Sequence, residues 1–228
     1  MTDRGTLRAA AVCLLLVSAG CAAPVADDGA QIDYSDGSLP FAAGPVFENV
    51  SATLGADVPP PDRVRVVDDA ANLTGSVTGG TVPRFWRIAG VHTDSGLSAS
   101  AVDQLENGVT SSTGLLAVYP GETADASDRW VLAHELVHYV QFQQTAGARI
   151  AAAVPDSTDG RYVQRSVIEG TAVAATDAYI AAHAPDLPPN AAVYQDLDRA
   201  LTPGSIAWHY NRAYIEGREY AVAQAAGP

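Results

Sequence analysis

Apolar positions fall into short runs in the first half of the chain and into long helical stretches in the second. Val64-Arg65-Val66-Val67 is rich in β-branched residues and predicts a strand. Phe85-Trp86-Arg87-Ile88-Ala89 predicts another, and Leu115-Leu116-Ala117-Val118-Tyr119 a third that Pro120-Gly121 ends. Gly75 to Gly80 reads as loop. Ser98 or Ser100 is suited to cap a short helix that stops at Asn107-Gly108.

Beyond residue 125 the pattern is helical. Ser127 is placed as an N-cap with Asp128 in the first turn, and Gly147 as the stop. Asp159 or Gly160 opens a second helix running to about Ala182, closed by the Pro-rich stretch Pro185 to Pro189. Asn190 is suited to cap a third, and Pro203 to Ala225 forms a fourth. Strands followed by helices predict an α+β domain: a small N-terminal β-sheet, then a mostly helical C-terminal part.

Composition adds the environment. The chain has 228 residues, 47% of them apolar, enough for one domain with its own core. Its 13 basic residues are all Arg, and the 26 acids comprise 19 Asp and 7 Glu, for a net charge of −13. Charge of this sign excludes the basic footprint that nucleic-acid binding requires. An acidic, Lys-free, Asp-rich chain resembles proteins of salt-loving archaea, whose carboxylates keep the surface hydrated while salt screens their repulsion.

Residues 1–20 read as an export signal. Arg4 and Arg8 precede the apolar run Ala9 to Val17, which is too short to span a bilayer. Val17-Ser18-Ala19-Gly20-Cys21 looks like a lipobox, which makes Cys21 the candidate lipidation site. The only other cysteine is Cys13, so the remainder has neither disulfide nor thiolate ligand. Residues 21–45 are rich in Asp, Gly, Ser, Pro and Ala, and read as a flexible tether. The expected organisation is signal peptide 1–20, lipidated Cys and tether 21–45, and one domain over 46–228. The chain is then exported and held at the cell surface by its lipid.

The chemistry concentrates at His134-Glu135-Leu136-Val137-His138. On a helix, positions i and i+4 lie one turn apart on one face, so two imidazoles converge on one metal ion. The Glu beside the first His is placed to act as general base on a water that zinc acidifies. Position 141 is Gln, not Gly, and position 144 is Gln, not His, which excludes the metzincin continuation. Downstream candidates for a third ligand are Glu169, Asp177, His183 and His209. Glu169 stands out: it lies among Val167, Ile168 and Ala172, where a carboxylate needs a partner.

His134-Glu135-x-x-His138 followed by a helix bearing Glu169 resembles the gluzincin branch of zinc metallopeptidases. The His-Glu-Leu-x-His stretch, its trailing Gln and the later Glu169-Gly170-x-Ala172 are similar to exported haloarchaeal proteins. The likeness covers roughly residues 110–220. It implies a zincin-like fold, one zinc ion per chain held by His134, His138 and Glu169, and Glu135 as general base. It also implies an active-site helix below a sheet whose edge strand aligns substrate, with Leu115 to Tyr119 as the candidate strand of that sheet.

One departure is notable. Many gluzincins carry Asp four residues after the ligand Glu; here that position is Val173. Asp177 lies two turns along the helix, about 12 Å away, too far to serve the same His unaided. For the oxyanion, Tyr214 and His209 are the candidates in the stretch Trp208 to Gly217. The expected activity is hydrolysis of peptide or protein substrates outside the cell. The alternative is a non-catalytic surface lipoprotein with a structural or vestigial zinc site.

Overall fold

A computed structural model describes residues 29–69, 73, 107–111, 113–121 and 123–227. The signal segment, Cys21, Gly75 to Gly80, the expected strand Phe85 to Ala89 and the body of the helix expected from Ser98 or Ser100 lie outside the described residues, and Gly108, expected at that helix's stop, begins a strand.

The architecture is α+β, with a four-stranded sheet and a mostly helical remainder. The strands are β1 (Asp33–Ser35), β2 (Arg63–Val66), β3 (Gly108–Thr110) and β4 (Leu116–Val118), in the order β1-β2-β4-β3. β1 pairs parallel with β2 through Asp33↔Arg63, and β2 parallel with β4 through Arg65↔Ala117. β3 runs antiparallel to β4, with Val109 opposite Ala117, and is an edge strand among the described residues. The helices are α1 (Ala43–Leu54), α2 (Asp128–Gln143), α3 (Ala146–Ala153), α4 (Thr158–His183), α5 (Asn190–Ala200) and α6 (Ile206–Ala225).

The strands expected at Val64 and at Leu115 are β2 and β4. Residues 32–43, read from composition as part of a flexible tether, are folded onto the domain. Residues 33–35 form β1, and Ile32, Leu39 and Ala43 are buried in the main core. The Tyr34 hydroxyl donates to the Phe41 carbonyl at 2.7 Å. A composition average misses this because three or four well-placed apolar residues, plus a backbone ladder, anchor a segment that is polar on the whole. α1 then lies between β1 and β2, as the parallel pairing demands of its connection.

α2 runs through the centre. Every residue from Val131 to Val140 is buried, so the helix has no solvent face there. Leu132, Leu136 and Val137 meet Val46, Phe47 and Val50 of α1, Val64 and Val66 of β2, and Tyr179 and Ile180 of α4 in one core. Each fully buried Leu or Val contributes about 1.5–3 kcal/mol, and this packing fixes the helix that carries the His pair.

Helix ends differ in detail from expectation. Ser127 has helical backbone angles and makes no side-chain cap. Instead Asp128 accepts from the Asp125 amide at 2.7 Å, while Asp125 accepts from the Ser127 amide at 2.6 Å. α2 stops because Thr145 turns left-handed at φ 55°, and Gly147 falls inside α3. Ser157 caps α4 by accepting from the Gly160 amide, and Ser205 caps α6 by accepting from the Trp208 amide, both at 3.0 Å. Asn190 is the first residue of α5, after a Pro189 cap position.

α4 and α6 cross with their backbones nearly touching. A Cβ on Gly217 would sit 1.8 Å from the Ser166 carbonyl oxygen, and one on Gly170 2.0 Å from the Gly217 carbonyl carbon. Only glycine permits this approach. It brings Tyr214, one turn before Gly217, against the turn of α4 that holds Arg165 and Glu169. Among the described residues no helix is long and apolar enough to cross a membrane.

Candidate metal centre

His134 and His138 stand one turn apart on α2, 4% and 8% exposed. Their Nε2 atoms are 3.1 Å apart, and the rings meet edge to face with centroids 4.8 Å apart. Glu169 arrives from α4. Its Oε2 lies 3.0 Å from His138 Nε2 and 3.7 Å from His134 Nε2. Three donor atoms placed tetrahedrally at 2.0–2.1 Å from an ion are separated by about 3.3–3.4 Å. The observed spacings of 3.0, 3.1 and 3.7 Å bracket that value. Glu169 Oε2 is also buried and out of hydrogen-bond geometry, an orphaned acceptor that a cation satisfies. The three side chains could hold a metal ion.

The other third-ligand candidates are engaged elsewhere. Asp177 accepts from the Ala191 amide at 3.0 Å and from Arg218 Nε at 2.7 Å, tying α4 to α5 and α6. His183 ends α4, exposed, with its ring 5.4 Å from that of Tyr179. His209 sits beside Trp208, with ring centroids 5.0 Å apart.

The charges reinforce one another. Burial alone would lower the pKa of His138 and raise that of Glu169. Burial is the largest single effect on each. The attraction between them, joined by Glu135 and Gln141 at His138 and by His134 and Arg165 at Glu169, together outweighs it, so His138 is raised and Glu169 falls well below the usual carboxylate range.

Glu135, 6% exposed, faces the edge strand. The Thr110 hydroxyl lies 2.7 Å from Glu135 Oε2 and 3.0 Å from the Glu135 carbonyl oxygen, donating to one or sharing its proton between them. A Cβ at Gly108 would fall 2.5 Å from Glu135 Cγ, so the strand can carry only glycine there unless the carboxylate moves. The edge beside the cluster is therefore β3, with β4 one place further in.

His134, Glu135, His138 and Glu169 line one cavity of about 190 Å³, together with residues 107–110, Trp130, Phe142, Tyr194 and Tyr214. Tyr194 and Tyr214 stack at 4.2 Å with 17° between their planes, and each ring centroid is 6.2 Å from that of His134. Burial, then the nearby Glu169 charge, raises the Tyr214 pKa; burial and the neighbouring Tyr214 raise that of Tyr194. Both phenols therefore keep their protons and remain donors. Arg165 NH2 donates to the Tyr214 hydroxyl at 3.3 Å, and its guanidinium lies 4.7 Å from the Tyr210 ring centre.

The two oxyanion candidates part company. Tyr214 lines the cavity and His209 does not. Five residues along a helix are about 500°, which puts the two on faces roughly 140° apart. Val173 is buried in place of an Asp, and the outer partner of a ligand His is Gln141 instead, with Oε1 2.8 Å from His138 Nδ1. His134 Nδ1 is buried without a hydrogen-bond partner among the described residues.

Gln141, Thr110, Gly108, Tyr194 and Arg165 were not singled out from sequence. Gln141 was legible in principle, since i+3 from His138 shares its helix face. Arg165 was legible in the same way, one turn before Glu169. Thr110, Gly108 and Tyr194 reach the site only through the fold. No protein-family model, curated protein or solved structure matches the chain, so geometry alone supports the metal centre.

Proposed function

We propose that the chain is a zinc metallopeptidase of gluzincin type, zincin-like in fold, that hydrolyses peptide bonds at the cell surface, exported and tethered through Cys21. The observation that carries this reading is the shared cavity: three ligand atoms, the Glu135 carboxylate and a protonated Tyr214 line one space beside an edge strand. Two imidazoles and a carboxylate in near-tetrahedral array suit zinc. Held by His134, His138 and Glu169, a zinc ion would supply Lewis acidity, polarising a carbonyl and lowering the pKa of water to about 7.

The chain's own residues supply the rest. An extended substrate lies along β3, whose outer edge carries no partner strand among the described residues. Glu135 takes the proton of the attacking water and returns it to the departing amine. Thr110 steadies one carboxylate oxygen and leaves the other free of that bond. Tyr214, with Arg165 behind it, donates its phenolic proton to the carbonyl oxygen as negative charge develops. The aromatic walls exclude bulk water and strengthen both interactions.

A structural site in a non-catalytic surface protein is the second reading, motivated by the unpartnered His134 Nδ1. Structural zinc sites, however, are closed by four protein ligands, and only three converge among the described residues. Glu135→Gln separates the two. Expected is one zinc per chain in both proteins, with peptide hydrolysis reduced by about 10²–10⁴ in the variant. Undiminished hydrolysis removes Glu135 from the mechanism. A metal-loaded native protein that cleaves nothing in a peptide library favours the structural reading.

A further inference from the structure

Gln141 lies on α2 between the ligand pair and α4, and its hydrogen bonds leave no freedom in the orientation of its amide. Nε2 is 3.0 Å from the Ile168 carbonyl oxygen and 2.7 Å from Thr171 Oγ1. A carbonyl oxygen only accepts, so the atom facing Ile168 must be the NH2 group. The Thr171 hydroxyl donates its single proton back to the Val167 carbonyl at 2.7 Å or the Ile168 carbonyl at 3.0 Å. Its oxygen is therefore free to accept from Gln141. Both N–H donors are then used, and Oε1 is left facing His138 Nδ1 at 2.8 Å.

An amide oxygen has no proton to give, so His138 Nδ1 must be the donor. With Nδ1–H committed to Gln141, Nε2 is the ring nitrogen that faces His134 Nε2 and Glu169. Nε2 is thus the nitrogen left to a metal ion, which displaces any proton it carries. The same amide grips the carbonyl of Ile168, the residue before Glu169. One side chain therefore orients the second ligand and holds the backbone beside the third.

We infer that Gln141 is the positioning residue of the metal centre, presenting His138 Nε2 to the cluster and locking α2 to α4 beside Glu169. It does the orienting work that a carboxylate at position 173 would do in the related pattern, but for His138 and from the ligand helix itself. The inference rests on the metal-centre reading and is independent of whether the site hydrolyses anything.

The test uses zinc alone as probe, on the full exported chain in high salt, with affinity measured by chelator competition. Long-range 1H–15N spectra of the zinc-loaded protein report the His138 Nδ1–H. Expected is one zinc per native chain and affinity 10–100-fold weaker in Gln141→Leu, with unchanged helical circular dichroism. The exchange-protected Nδ1–H signal should disappear in that variant. Gln141→Glu keeps an acceptor for Nδ1–H and should retain the signal, with affinity within about tenfold of native. Native affinity, or an unchanged Nδ1–H, in folded Gln141→Leu overturns the inference. If Gln141→Leu does not fold, Gln141→Glu decides, and loss of the signal there overturns it. A native chain that takes up no zinc fails differently: it removes the metal centre and this inference with it.

Discussion

The two ligand imidazoles share one helix and one burial class, yet they are held in different ways. His138 is tied by hydrogen bonds, through Gln141 into the backbone of α4. His134 Nδ1 has no hydrogen-bond partner among the described residues, and its ring rests against the Tyr194–Tyr214 pair from α5 and α6. A hydrogen bond sets direction and protonation together; a packed ring sets position alone. The α2–α4 side is therefore the half that would organise a metal ion, and the α5–α6 side the half that would shape what meets it. The division has a structural cause. α6 meets α4 at a glycine crossing, and the polar links beside it, Arg165 with the Tyr214 hydroxyl and Arg218 with Asp177, hold the aromatic ring of Tyr214 against the site.

The severest way to break this comparison is Glu169→Ala, because Glu169 Oε2 lies within 3.7 Å of both Nε2 atoms. Zinc affinity should fall by more than the 10–100-fold expected for an outer partner, read by isothermal titration. Affinity close to native would mean that the ion sits elsewhere. Tyr214→Phe probes the other half. It should leave zinc stoichiometry and affinity unchanged while lowering kcat about 10²–10³-fold, as loss of an oxyanion donor does. Equal loss of zinc would show the two halves are not separable, and unchanged kcat would reduce Tyr214 to a wall. Ser205→Ala is the mildest. It removes the α6 cap, which accepts from the Trp208 amide, and should cost about 1 kcal/mol of stability in thermal unfolding. Zinc affinity should not move; a fall would tie α6 to the organising half.

Much of the site was legible because it is local. The i, i+4 spacing of His134 and His138 is a property of any helix, and Glu135 follows from its place between them. Glu169 was legible through its company, a carboxylate among Val167, Ile168 and Ala172 that solvent alone could not satisfy. β2 announced itself by its β-branched run, β4 by the Pro120-Gly121 that ends it, and α4 by the Pro-rich stretch after it, whereas the serines that cap α4 and α6, Ser157 and Ser205, were not read. Less visible was β1, whose residues are mostly polar and whose stability comes from pairing with β2 and burying Ile32 beneath it. The same limit applied to His209, chosen for its chemistry and turned away from the cavity by helix phase.

Sequence by itself determined the acidic, Lys-free character of the chain, the helix that presents two imidazoles and a glutamate, and the unusual carboxylate that completes the set. These follow from composition and from geometry repeated every turn. Tertiary structure decided which strand borders the cavity, that Tyr194 and Tyr214 close it, that Thr110 and Gly108 frame Glu135, and that Gln141 reaches Ile168. Each of those depends on the separation and angle between elements distant in the chain. Packing of a shared core sets such distances, and no local pattern of residues encodes them.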